Sequence, residues 1–220
     1  DILELREGHP TKGTYWFPAY NSTQGVKALE FIKQEIDAGI KPQTNHFWGQ
    51  EFADKKFAVM LEGTWLLGTF PREQWSNLSQ SIGMLPMFPV PNENNKTATM
   101  MGGWILSVPE TSTNKDLSWE LLTIMLEPEV LSPMLQREGY LPTQKPIGEG
   151  PYAAQLNTTI PYYKEMISMI PIGHSRPNIP EYPQIADNIK QAIDEVYFGV
   201  KDPKQALDDA ALNSAKVLGW

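Results

Sequence analysis

Phe57-Ala58-Val59-Met60-Leu61-Glu62-Gly63-Thr64-Trp65 is the stretch on which the fold turns. Its first five residues, Phe57 to Leu61, are an apolar run, which predicts a buried strand. Gly63 then interrupts the run, where a glycine lets the chain turn sharply and leaves room for a ligand to approach the backbone. A large flat side chain just past such a turn lands at the mouth of a sheet, and ligands of α/β proteins bind at strand ends. Trp65 is therefore either a core or lid tryptophan or a ligand platform, and the run alone leaves both open.

The bulk properties narrow the class. The chain has 220 residues, enough for one large domain or two small ones with a sizeable core. Hydrophobic residues make up 41% and charged residues 20%, the balance of a globular protein. The formal net charge is −8, which argues against nucleic acid or an anionic membrane surface as a partner, since both require clustered Lys and Arg. Cysteine is absent, which excludes thiol catalysis, disulfides and thiolate metal sites together. No apolar run approaches the ~18 residues of a membrane span. The opening Asp1-Ile-Leu-Glu-Leu-Arg6 is neither basic nor a long apolar run, so the chain is expected to be mature, trimmed or an internal fragment.

Working outward, Gly8, Pro10, Gly13 and Pro18 mark loops, and Tyr15-Trp16-Phe17 fits a short strand or a pocket wall. Asn21-Ser22-Thr23 offer an N-cap to a helix carrying Val26, Leu29, Ile32 and Ile36, stopped at Gly39. A shorter helix is expected over Trp48 to Lys55, and helix again over 64–76 with a break or restart at Pro71. Ser81 to Leu85 reads as a short strand, Met84 to Pro91 as an extended connector, and Met100 to Val108 as a strand interrupted by Gly102 and Gly103. Helices then dominate. One runs from Asn114 to Leu126 with Leu117, Leu121, Leu122 and Met125 inward. The next starts at Pro128, turns Val130, Leu131, Met134 and Leu135 inward, and closes at Gly139. One or two helices are expected between Tyr152 and Met169. The last two follow a proline-stiffened connector at 171–183. The first has the stripe Ile185, Ile189, Ala192, Ile193, Val196 and Tyr197. The second is capped by Asp202 with Gln205, and Ala206, Leu207, Ala210, Ala211 and Leu218 face inward.

Reactive motifs are missing: there is no nucleophile elbow, phosphate loop, dinucleotide fingerprint or zincin motif. His9, His46 and His174 lie far apart without metal spacing, and read as ordinary surface or loop histidines. Glu149, Glu181 and Asp187 fall near candidate pocket loops, but a glycosidase needs two carboxylates set ~5–9.5 Å apart across a sugar. What remains is recognition chemistry. Trp65 and Trp104 each follow glycine-containing strand ends, and Arg176 sits in the rigid connector. Tryptophan faces pack on the C–H faces of sugar rings, and arginine offers five fixed donors to hydroxyls. Core packing for the tryptophans and a surface ion pair for Arg176 are the plainer alternatives.

In this order the segments resemble the extracellular solute-binding proteins of carbohydrate ABC importers, the family that includes maltose- and trehalose-binding proteins. Phe52 to Trp65 is similar to that family's F-x-x-G-K-A-A-M-x-x-x-G-x-W stretch, with Asp54-Lys55-Lys56 where a Gly-Lys is usual. Gly83 to Pro91 is similar to its G-x-x-P-x-P crossing strand. Gly102-Gly103-Trp104 with the following Ile-Leu-Ser-Val-Pro and Asn114 is similar to its double-glycine strand and helix. Arg176-Pro-Asn-Ile-Pro-Glu-Tyr182 and the helices to Ala215 resemble its C-terminal signature.

The resemblance implies an α/β, type II periplasmic-binding-protein-like clamshell, present here as a helix-rich C-terminal fragment, because family members are about twice as long. It assigns residues 1–82 and 146–220 to the C-terminal lobe and 83–145 to the N-terminal lobe and the crossing between them. It implies a non-enzymatic, periplasmic or extracellular, cell-surface-associated receptor that hands a sugar or oligosaccharide to membrane permease subunits. Trp65 would stack on the sugar, Gly103 and Trp104 would line the other wall, and Arg176 would bond hydroxyls, with Tyr182 beside them. Neither catalytic residue, metal nor cofactor is expected. Another small solute on the same fold, such as a polyamine or peptide, and a carboxylate hydrolase using Glu149 or Glu181 are the alternatives.

Overall fold

The computed structural model describes residues 2–39, 49–56, 58–85 and 97–220. The chain opens with strands β1 (Leu3–His9) and β2 (Gly13–Pro18) and helix α1 (Thr23–Asp37). Helix α2 (Gly49–Ala53), two 3₁₀ turns (Thr64–Thr69 and Arg72–Gln74) and α3 (Trp75–Ser81) lead to strand β3 (Thr99–Met101). Helices α4 (Lys115–Met125), α5 (Pro128–Glu138), α6 (Lys145–Gly148), α7 (Pro151–Thr159) and α8 (Tyr163–Ser168) follow. After the 3₁₀ turn Ile170–Ile172 come strand β4 (Gly173–Ser175) and helices α9 (Tyr182–Tyr197) and α10 (Pro203–Leu218). Two compact units result: Asp1–Asn45 with Pro177–Trp220, and His46–Arg176.

In the first unit an antiparallel β1–β2 ladder, with Leu3 opposite Pro18 and an irregularity between Glu7 and His9, lies with α1, α9 and α10. Helix starts follow local chemistry: the Ser22 side chain accepts from the Gly25 N–H, and the Asp202 carboxylate accepts from the Gln205 N–H. The expected stripes of α9 and α10 are the core, where Ile185, Ala192, Val196, Ala206, Leu207, Ala210, Ala211 and Leu218 join Leu3, Tyr20 and Leu29. Three polar side chains lock this core. The Tyr20 hydroxyl and the Ser214 Oγ are 2.8 Å apart, and the Asn188 amide donates to the same Oγ at 3.0 Å. Burial pushes the Tyr20 phenol up to about 12. His9 is not the surface residue expected. It is buried, its Nε2 bonds the Leu218 carbonyl at 2.8 Å, and its Nδ1 accepts the Lys12 N–H at 3.0 Å. Strand β1 was not anticipated at all, since its two buried residues, Leu3 and His9, bracket five exposed ones and give no alternation.

In the second unit a separate core of Phe70, Trp75, Leu135, Ile147, Leu156, Ile160 and Tyr163 gathers α3, α5, α6, α7 and α8. The helix expected over 64–76 is instead two 3₁₀ turns and the start of α3, broken at Phe70 and Pro71. Several sequence expectations fail here. Phe57 lies outside the described residues, and 58–61 form no strand, with Leu61 83% exposed. Ile82 to Leu85 is irregular, and β3 stops at Met101, so 102–108 is not strand. An apolar run becomes a strand only where a ladder partner exists, and the partner found for β3 is the three-residue β4. Residues 86–91 of the extended connector expected at Met84 to Pro91 lie outside the described residues, as do His46 and Trp48. Helix α4 forms as expected, but Leu117 and Leu121 are exposed rather than inward. On α5 the inward residues are Leu131, Ser132, Leu135 and Gln136, whereas Val130 and Met134 face out, a stripe rotated by one position. Lys55 adopts a left-handed backbone, φ 61°, a conformation that suits glycine.

Candidate functional site

Strands β3 and β4 run parallel, with Thr99 opposite Gly173, Met100 opposite His174 and Met101 opposite Ser175. Gly102-Gly103-Trp104 therefore leaves the carboxyl end of one strand beside the point where Arg176 leaves the carboxyl end of the other. That is where ligands of open α/β sheets bind. Neither glycine is crowded: a Cβ on Gly102 or Gly103 would meet no atom within 4 Å, so the backbone there is bare to approach. The exposed Arg176 donates to the Met100 Sδ at 3.7 Å, across the ladder.

Trp104 is 85% exposed, and its indole N–H donates to the Tyr140 hydroxyl at 3.0 Å. Trp65 rides on the 3₁₀ turn Thr64–Thr69 and is 44% exposed. Gly63 turns out to serve Trp65 itself. Its backbone is extended (φ −94°, ψ 174°), which any residue adopts, but a Cβ there would lie 2.0 Å from Cζ3 of the Trp65 ring. The space left by the missing side chain is thus filled by the ring, not held open for a ligand. The same turn lies on the end of α5. A Cβ on Gly68 would sit 2.6 Å from the Glu138 carbonyl oxygen, and one on Gly139 (φ 70°) would sit 2.9 Å from the Leu67 Cβ.

Trp65, Gly103, Trp104 and Arg176 all belong to the second unit, whereas Tyr182 opens α9 in the first. Next to Tyr182, the Glu181 carboxylate accepts from the Tyr15 hydroxyl at 3.2 Å and faces Lys12 Nζ at 3.7 Å. Hydrogen bonding to Tyr15, then the charge of Glu181, raises Lys12 above its ordinary pKa. Glu149 is exposed at the end of α6 in the second unit, and Asp187 is exposed on α9. Among the described residues no three His, Cys, Asp or Glu side chains gather as metal ligands would. Two concavities in the first unit, one of about 20 Å³ beside Lys201 and an open one of about 420 Å³ beside Arg6 and Phe17, are lined by none of the five expected residues. Tyr140 was missed by sequence reading. An aromatic directly after the helix-stopping Gly139 is its only local signal, and nothing in the spacing pairs it with Trp104.

Residues 2–157 match the bacterial extracellular solute-binding protein family, and the chain belongs to that family. It is 24% identical over 197 residues to the galactooligosaccharide-binding protein of Bacillus subtilis, covering 87% of this chain and 44% of that one. Among solved structures it is similar to an ABC transporter solute-binding protein of Thermotoga lettingae bound with α-D-tagatose, at TM-score 0.75 and 25% identity, over 92% of this chain and 51% of that one. The cyclic α-maltosyl-1,6-maltose-binding protein of Arthrobacter globiformis matches at TM-score 0.68 and 26% identity, over 92% and 50%. The fold is that of the α/β, type II periplasmic binding proteins, and the chain spans about half the length of these relatives.

Proposed function

We propose that the protein binds a sugar or oligosaccharide outside the cytoplasm, in the periplasm or at the cell surface, and delivers it to the permease subunits of an ABC importer. One observation carries this: Gly103, Trp104 and Arg176 emerge together from the carboxyl ends of the parallel β3–β4 pair, with the indole of Trp104 exposed. Flat exposed aromatics beside a multidentate donor are the means of holding a polyhydroxylated ring. The family and the sugar-binding relatives point the same way. In this proposal Trp65 and Trp104 stack on sugar faces, Gly103 lets the ligand reach the backbone and Arg176 bonds hydroxyls. No catalytic role is assigned, since the family and the sugar-binding relatives are binding proteins and Glu181 is already engaged by Tyr15 and Lys12. We propose further that, in the whole protein, residues 1–82 and 146–220 belong to one lobe and 83–145 contribute to the other.

Calorimetry of the intact protein against malto- and galacto-oligosaccharides and tagatose tests it. At least one should bind, with Trp65→Ala and Trp104→Ala each weakening the association. Silence across the panel, with both variants behaving as wild type, sinks it.

A further inference from the structure

Trp104 presents a physical problem. A ring that is 85% exposed has little packing to fix it, and immobilising a free side chain on binding weakens affinity by roughly two- to tenfold. The structure holds it at one atom. Its indole N–H donates to the Tyr140 hydroxyl, while the residue stays 85% exposed. Tyr140 is itself well anchored. Its ring packs against the core of Phe70, Trp75 and Leu135, and its N–H donates to the Leu135 carbonyl at 3.2 Å.

The residues just before Tyr140 carry the other tryptophan. Gly139 sits in the left-handed conformation that ends α5, and the Thr64–Thr69 turn bearing Trp65 lies against it and against the Glu138 carbonyl. Backbone meets backbone there because positions 68 and 139 lack side chains. One corner of three residues, Glu138 to Tyr140, thus supports both tryptophans: Trp65 through the seating of its turn, Trp104 through a hydrogen bond.

We propose that Tyr140 is a positioning residue of the sugar site: it fixes the orientation of Trp104 before ligand arrives, from the same corner that seats Trp65. The inference rests on the sugar-binding function proposed above, but its central contact exists without ligand and is measurable without it.

The test is Tyr140→Phe in the intact protein. The variant keeps the ring and its core packing and removes only the acceptor. In ligand-free protein, the ¹⁵N-labelled indole resonance of Trp104, assigned with Trp104→Phe, should shift, and its N–H should exchange faster with solvent. With the tightest-binding oligosaccharide of the calorimetric panel, Tyr140→Phe should bind roughly three- to tenfold more weakly, the worth of one net hydrogen bond. Trp104→Ala should lose at least as much, and the double variant should be no weaker than Trp104→Ala alone, because Tyr140 acts through Trp104. An unchanged indole resonance overturns the proposal, as do fully additive losses in the double variant. If wild type binds no sugar, the function proposed above falls, and the tether still stands or falls on the indole resonance.

Discussion

Replacing Gly63 by alanine separates the seat of Trp65 from the stability of the fold. The new Cβ would lie 2.0, 2.2 and 2.3 Å from three carbons of the Trp65 ring. Carbon atoms settle at about 3.5 Å or more, so the ring must withdraw by roughly 1.5 Å. It can do so, because it hangs on two rotatable bonds and is 44% exposed. The backbone at 63 is already extended and accepts alanine without strain. The cost to folding is therefore about 1 kcal/mol or less, a fall of ~2–4 °C in Tm for a chain of this size. The cost to a ligand stacked on the ring is larger: losing a seated aromatic contact removes about 1–2 kcal/mol, roughly five- to thirtyfold in affinity. Differential scanning calorimetry gives the first number and titration calorimetry with a bound oligosaccharide the second. Acrylamide quenching, differenced against Trp65→Phe, shows whether the indole has moved. If Trp65 in Gly63→Ala is quenched as in wild type, the ring does not rest on Gly63 and the reasoning fails.

Gly68→Ala should behave in the opposite way. The intruding Cβ meets the Glu138 carbonyl, a backbone atom that cannot swing aside, so a loss of roughly 1–3 kcal/mol in thermal unfolding is expected; a Tm within 1 °C of wild type would count against the close seating of the turn. Lys55→Gly should raise stability by about 1 kcal/mol in chemical denaturation, because it relieves a left-handed lysine. Tyr20 gives a pH dependence. Its phenol is near 10 when unfolded and about 12 when folded, so the unfolded chain releases its proton first. The stability present below pH 10 should thus fall by up to about 3 kcal/mol as pH rises toward 12. Tyr20→Phe should flatten that limb in a Tm-against-pH series, and an unchanged slope would show that other groups carry it.

The two C-terminal helices were legible because their information is local. Asp202 caps its own helix, and the stripe from Ile185 to Val196 has a regular period, so the core of the first unit could be read directly. The Phe57–Leu61 run misled for the converse reason. Its apolarity says that burial would be favourable, but strand formation depends on a partner elsewhere in the chain, which no local pattern encodes. Lys55 marks an informative departure. It stands where the resembling family usually has glycine, and the structure gives it a glycine-like φ. Trp65, Trp104 and Arg176 could be picked out by residue type beside glycine and proline. Their supports could not, because the contacts of Gly68 with Glu138 and of Trp104 with Tyr140 span 70 and 36 residues, and one involves only backbone and absent side chains.

The outward face of α4 has a practical consequence. Leu117, Leu121 and Ile124, spaced four and three residues apart, share one face and are all exposed, and Trp119 is exposed on the opposite side of the same helix. A single exposed apolar residue is unremarkable, but a contiguous set is adhesive. Produced as this 220-residue polypeptide, the protein should bind environment-sensitive dyes and self-associate as its concentration rises, in spite of its eight net negative charges. Handling it therefore calls for dilute solutions or a solubilising fusion, and charge alone is a poor guide to its colloidal behaviour.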